Sequence, residues 1–203
     1  MHAASPLNDP RTLECLAAAK RGEAEGFSSL VEELAPALYT WADLRIRPSQ
    51  RAHIDPQDIV QEVWFRAWRA IDKLDPATTP FRLWLFRVAK NVLLEGIRRM
   101  QRVDRGAGLG PTTRLFALNN APDEATAVSR RMARDENLAA FAGEVRELTQ
   151  DDQKLVVHCG LEGLPYKDVA ERLGISQDAV AKRWQRLRAR LAEGQLANRL
   201  LSS

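Results

Sequence analysis

At 203 residues, 45% of them hydrophobic and 28% charged, the chain can form one globular domain or two small ones, each burying a modest core. No apolar run approaches the roughly twenty residues of a membrane span, and Met1–Pro10 lacks the segments of a secretion signal, so a cytoplasmic protein with no membrane contact of its own is expected. The formal charge is only +3, but it is unevenly spread: acid gathers at Asp55, Asp58, Glu62, Asp72 and Asp75, and base at Arg82–Arg105 and Lys182–Arg190, which suggests two contacts with a polyanion and a different partner for the acidic face.

The first predicted helix, Thr12–Arg21, ends at Gly22, and a second runs from about Glu23 to Ile46. Its apolar stripe is Phe27, Leu30, Val31, Leu34, Leu38, Trp41 and Leu44, and Pro36 inside it is expected to kink or split it. Both helices read as scaffold. After a polar connection, Asp55 and Pro56 give a capping side chain and then a proline at the first helical position. In that third helix Ile59, Val60, Val63, Trp64, Ala67, Ala70 and Ile71 form a core stripe. The opposite face carries Asp58, Gln61, Glu62 and Arg69, with Phe65 in its middle and Trp68 on its edge. Large aromatics on a polar face suggest a partner surface.

Turn formers fill Asp72–Thr79, and Thr79-Pro80 opens a fourth helix reaching about Arg102, with Phe81, Leu85, Val88, Ala89, Val92 and Gly96 on its buried side. Trp84, Arg87, Asn91 and Arg98 fall along a separate stripe. An indole to stack on a base, an amide to read a base edge and guanidiniums for phosphates suit unpaired nucleic acid. The same stripe also fits a core edge beside a solvated basic face. From Asp104 to Pro122 glycines, prolines and threonines give no helical period and read as a linker; Asp123–Leu148 is helical again, with Ala127, Leu138, Phe141 and Val145 as candidate core. The division expected is residues 1–103, a linker over 104–122, a second domain over 123–194 and a tail over 195–203. No strand pattern and no internal repeat is found, so the fold class is all-α.

The second domain carries the most specific local signal: a short helix Tyr166–Leu173, a turn at Gly174-Ile175, and Ser176 capping a helix to about Ala192. Ala170, Gly174 and Val180 stand where a helix-turn-helix needs a small crossing residue, a turn glycine and an apolar anchor, and Val169, Leu173, Ile175, Trp184, Leu187 and Leu191 complete the core. Gln177, Asp178, Lys182, Arg183, Gln185, Arg186 and Arg190 point outward, a set suited to the major groove. Cys15 and Cys159 are far apart and form no Cys-x-x-Cys pair; they and His158 read as core.

Taken together, the order of parts resembles a small two-domain bacterial sigma factor of the extracytoplasmic-function class. Asp58-Ile-Val-Gln-Glu62 with Arg66-Ala-Trp68 is similar to the family's polymerase-binding helix. Phe81-Arg-Leu-Trp-Leu-Phe-Arg-Val-Ala-Lys-Asn91, followed by Ile97-Arg-Arg, is similar to its minus-ten segment. Tyr166-Lys-Asp-Val-Ala-Glu-Arg-Leu-Gly-Ile-Ser176 and Val180–Leu191 are similar to its minus-thirty-five helix-turn-helix.

The resemblance implies a promoter-specificity subunit without catalysis or cofactor of its own. Asp58, Gln61 and Glu62, with Phe65 or Arg66, would bind core RNA polymerase. Trp84, Arg87, Asn91 and Arg98 would hold the melted non-template strand, and Gln177, Lys182, Arg183 and Arg186 the duplex. An anti-sigma factor is a further partner the resemblance allows. One departure bears on specificity: the glycine and acid usual before the minus-ten aromatic are replaced by Asp75-Pro-Ala-Thr-Thr-Pro80, which leaves the bound base open.

Two other functions fit the sequence less well. A stand-alone operator-binding regulator gives no role to the acidic aromatic face or to the Trp84–Arg98 stripe. A helical metal enzyme using Asp55, Asp58, Glu62 and His53 lacks a Glu-x-x-His pair, a glycine-rich phosphate loop and any Ser-His-Asp order.

Overall fold

The computed structural model describes residues 9–104 and 123–191 together with Ala197, Leu200 and Leu201. The expected linker over 104–122, apart from Asp104, and most of the expected tail lie outside the described residues. Among those described the fold is all-helical, in two compact units, one spanning Asn8–Arg134 and the other holding the residues from Asp135 onward.

In the first unit, α1 (Pro10–Lys20) starts where the Asp9 carboxylate accepts from the Arg11 N–H at 3.2 Å, and its end passes into Gly22 at φ +83°. The second helix, α2 (Ala24–Arg45), runs unbroken through Pro36. The hydrogen bond lost to proline and its steric clash cost about 3 kcal/mol, whereas each fully buried Leu or Val returns about 1.5–3 kcal/mol. Leu30, Val31, Leu34 and Leu38 are all at most 3% exposed, so burial wins and the expected split does not occur.

A third helix, α3 (Pro56–Ala70), starts where Asp55 accepts from the Gln57 N–H at 2.7 Å, as the Asp-Pro signal requires. Its apolar stripe meets α2 through Phe27, whose ring centroid lies 5.8 Å from Trp64 and 4.8 Å from Trp68, both edge-on. Helix α4 (Phe81–Asp104) closes the bundle with Phe81, Leu85, Phe86, Ala89, Val92 and Leu93 buried, and Phe86 meets Trp41 at 5.9 Å. Phe86 and Leu93 are core positions the sequence stripe did not include, and Val88, assigned to it, is only half-buried.

A fifth helix, α5 (Asp123–Ala133), packs on α2 and α3 and belongs to the first unit. The structure thus draws the boundary at Arg134 and Asp135 rather than at 123. The buried positions of α5 are Ala125, Val128, Ser129 and Met132, and Ala127, the expected core residue, is exposed.

The second unit comprises α6 (Glu136–Arg146), α7 (Gln150–Leu155) running into a π-helical turn Val156–Leu161, α8 (Tyr166–Leu173) and α9 (Gln177–Leu191). Gly174, at φ +67°, ends α8 in the left-handed conformation, and Ser176 Oγ accepts from the Ala179 N–H at 3.2 Å to open α9. Val169, Val180, Trp184, Leu187 and Leu191 form the expected core; Leu173 is only half-buried and Ile175 is 36% exposed at the turn.

Close helix contact in the first unit falls at Gly26. A Cβ there would lie 2.6 Å from Ala18 Cβ and 2.7 Å from the backbone of Ala19 and Cys15, with no flexible atom to yield. Gly26→Ala is expected to lower stability by about 1–3 kcal/mol in chemical denaturation; an unchanged midpoint would contradict the α1–α2 packing described.

Candidate functional site

Three surfaces carry the residues singled out by sequence. On α3, Asp58, Phe65 and Arg66 are half-buried and Arg69 is exposed, with its guanidinium 5.5 Å from the Phe65 ring centroid. Gln61 and Glu62, expected on the open polar face, are 4% and 8% exposed. Glu62 is held by Arg66, whose Nε donates to Glu62 Oε1 at 2.7 Å, while Nη1 and Nη2 donate to Glu95 Oε1 and Oε2 at 2.9 and 2.7 Å. Arg66 therefore clamps α3 to α4 through a two-pronged carboxylate contact. The hydrogen bonds to Glu95, ahead of those to Glu62, push the Arg66 pKa far up, and the same bond to Arg66 draws Glu95 below its usual value. Glu95 was not found from sequence, because helical pitch does not say which faces of two helices meet.

On α4 the stripe is as expected in part. Trp84 is half-buried, its ring 5.7 Å from Phe81 and tilted by 37°, so one side is packed and another open. Arg87, Asn91 and Arg98 are exposed. Leu94 stands between Asn91 and Arg98 on the same stripe and is 49% exposed, an apolar residue missed by sequence although it shares the i, i+3, i+7 spacing. Arg82, counted with the basic stretch, turns inward: its guanidinium lies 6.0 Å from the Phe86 ring centroid, and burial lowers its pKa to about 10 against the opposing pull of Glu33. The loop before α4 is tied by Asp75, whose side chain accepts from the Ala77 N–H at 3.0 Å and whose carbonyl accepts from the Thr78 hydroxyl at 3.0 Å. The Lys20 ammonium donates to the Leu74 carbonyl from α1.

On α9, Gln177, Lys182 and Arg186 are exposed, as are Asp178, Gln185 and Arg190. Arg183 is not: its Nε donates to Asp152 Oδ1 at 2.8 Å and its Nη2 to Thr149 Oγ1 at 3.3 Å. It braces α9 against the start of α7. Beneath them, His158 Nδ1 lies 3.0 Å from Glu162 Oε2 in the core, with Glu162 fully buried, and the Cys159 thiol is pushed up to about 12 by burial. Among the described residues no three His, Cys, Asp or Glu side chains gather as metal ligands, and no helix is long and apolar enough to cross a membrane.

The chain matches Sigma-70 region 2 over residues 30–103 and Sigma-70, region 4 over residues 139–191. It is 32% identical over 142 residues to the RNA polymerase sigma factor CnrH of Cupriavidus metallidurans, covering 68% of this chain and 72% of that one. It is 28% identical to the ECF RNA polymerase sigma factor SigE of Mycolicibacterium smegmatis, covering 82% of this chain and 60% of that one. With the RNA polymerase sigma factor NccH of Alcaligenes xylosoxydans xylosoxydans it shares 29% identity over 91% of this chain and 95% of that one. A solved structure of CnrH in complex with the cytosolic domain of CnrY is 26% identical, covers 91% of this chain and 96% of that one, and aligns with a TM-score of 0.44.

Two outcomes check this geometry. Cys159, with its thiolate disfavoured by burial, should resist alkylation at neutral pH in the native chain and react only on unfolding; rapid native modification at Cys159 would contradict its burial. Glu95→Gln should cost at most about 1 kcal/mol, since both partners are partly solvated. Because the folded carboxylate is the more acidic, that contribution is present above the unfolded pKa and lost as pH falls through the folded one, so a wild-type advantage that persisted under acid would contradict the clamp.

Proposed function

The chain belongs to the extracytoplasmic-function class of RNA polymerase sigma factors, proteins that direct promoter-specific transcription initiation by RNA polymerase, and from that premise we propose how its surfaces divide the work. The observation that carries the proposal is that the two family matches fall on separate compact units, region 2 within Asn8–Arg134 and region 4 within the unit from Asp135.

In this proposal α3 binds core polymerase through Asp58, Phe65 and the rim of Gln61 and Glu62. Arg66 acts through Glu62 and Glu95, holding the polymerase helix and the promoter helix in one register. On α4, the half-open Trp84 ring stacks on a base of the melted minus-ten strand, Asn91 reads a base edge, Leu94 adds an apolar contact, and Arg87 and Arg98 hold phosphates. On α9, Gln177, Lys182 and Arg186 contact the minus-thirty-five duplex while Arg183 fixes the helix from behind. The protein works in the cytoplasm, where polymerase and promoter meet. An anti-sigma factor enters as a third partner on family membership alone, and would reveal itself by competing with polymerase for the chain.

Three substitutions separate these roles. Phe65→Ala should weaken binding to core polymerase and leave DNA contact by the helix-turn-helix intact. Asn91→Ala should cost about 1–3 kcal/mol in open-complex formation on the preferred promoter. Lys182→Ala in the holoenzyme should reduce the slope of log affinity against log salt by about 0.9, one phosphate contact. Polymerase binding that fell with Lys182→Ala and not with Phe65→Ala would overturn the division.

A further inference from the structure

Helix α5 lies between the two family matches and is assigned a role by neither. It sits on α2 and α3 with Ala125 and Ser129 fully buried, Val128 and Met132 6% and 7% exposed, and Arg131 paired to Glu32 of α2 at 2.5 Å. Because α5 touches both α2 and α3, it occupies the flank of α3 that faces α2. That flank carries Gln61, Trp64 and Trp68 at i, i+3 and i+7, with Trp64 and Trp68 marking it through their contact with Phe27. Gln61 points away from the main core stripe and is nonetheless only 4% exposed. We infer that α5 is a releasable clasp: it docks in cis on the α2–α3 flank, covers the Gln61 side of the polymerase-binding helix, and leaves when the chain engages polymerase and promoter. The inference rests on the proposed roles of α3 and α9.

Two independent arguments support release. The helix has 11 residues, fewer than the roughly 12–15 an isolated helix needs in water, so its order depends on the surface beneath it. The second is reach. While α5 is docked, only Arg134 and Asp135 join it to α6, which begins at Glu136. Units of these lengths have radii of gyration of about 14 and 11 Å, hence diameters of about 36 and 28 Å. Two promoter elements about 25 base pairs apart at about 3.4 Å each are separated by about 85 Å. Whatever their arrangement, two such units joined by two residues fall short of that span. With α5 released, the chain from Asp104 to Asp135 can extend by about 100 Å, which is sufficient.

The test is amide hydrogen exchange over residues 123–133, in the free full-length chain and in its complex with core polymerase on promoter DNA. Slow exchange in the free chain and fast exchange in the complex is the expected result; equal protection in both overturns the clasp. Val128→Asp, which places a carboxylate in the docking contact, gives a second readout. It should undock α5 and tighten polymerase binding by up to about tenfold, as the binding-competent fraction rises. Unchanged or weaker binding by a Val128→Asp chain that has lost helical signal only over residues 123–133 would also overturn the proposal. Failure of both wild type and Val128→Asp to bind polymerase would instead refute the assignment of α3, and the clasp with it.

Discussion

A helix packed on three sides has little surface left for a partner, and this constraint shapes the first unit. Helix α3 is packed by α2, α4 and α5, and its stripe from Ile59 to Ala67 is fully buried. What it can offer outward is a narrow ridge: Phe65, Trp68 and Arg69, with Asp58 and Arg66 at the margins. The carboxylate of Glu62 does not stand alone beside this ridge. Through Arg66 it connects to Glu95 on α4, the helix that carries Arg87, Asn91 and Arg98. A displacement of α3 on polymerase would therefore be felt by the helix proposed to hold the melted strand. In energy the clamp is small, being partly solvated; its value lies in orientation, since a two-pronged guanidinium–carboxylate contact fixes angle as well as distance.

The second unit solves a different problem, presenting one exposed helix rigidly from a small core. Gly174 supplies the left-handed turn, and Val180, Trp184, Leu187 and Leu191 anchor one side of α9. Arg183 spends its charge on Asp152 and Thr149, so that Lys182 and Arg186 on either side are held at a fixed angle to solvent. Gly160 leaves room for the Trp184 ring, since a Cβ there would lie 2.8 Å from it. The same turn carries a buried polar pair, His158 and Glu162, each of which supplies the other's hydrogen-bond partner.

Much of this was legible in the sequence. Asp55-Pro56, Gly174 and Ser176 are local signals whose meaning does not depend on the rest of the fold, and each caps or turns the chain as expected. The apolar stripes of α2 and α3 follow from helical pitch. What pitch does not encode is partnership between helices. It placed Gln61 and Glu62 on an outer face, without knowing that both would be buried and that Arg66 would hold Glu62; it placed Arg183 with its basic neighbours, without the acids of α7. The unbroken α2 has a similar origin: the local penalty of Pro36 was visible, and the burial that outweighs it was not. The position of α5 was hidden for the same reason. Its own apolar pattern is sparse, and only docking on α2 and α3 shows that Val128 and Met132, rather than Ala127, face a core.

The measurement that tests the central claim most directly is run-off transcription with purified core RNA polymerase, the full-length chain and a library of bacterial DNA templates. The account predicts discrete start sites that depend on adding the chain, each preceded by shared sequences at two separated positions. Transcripts that are absent, or unaltered by adding a folded chain, would contradict it.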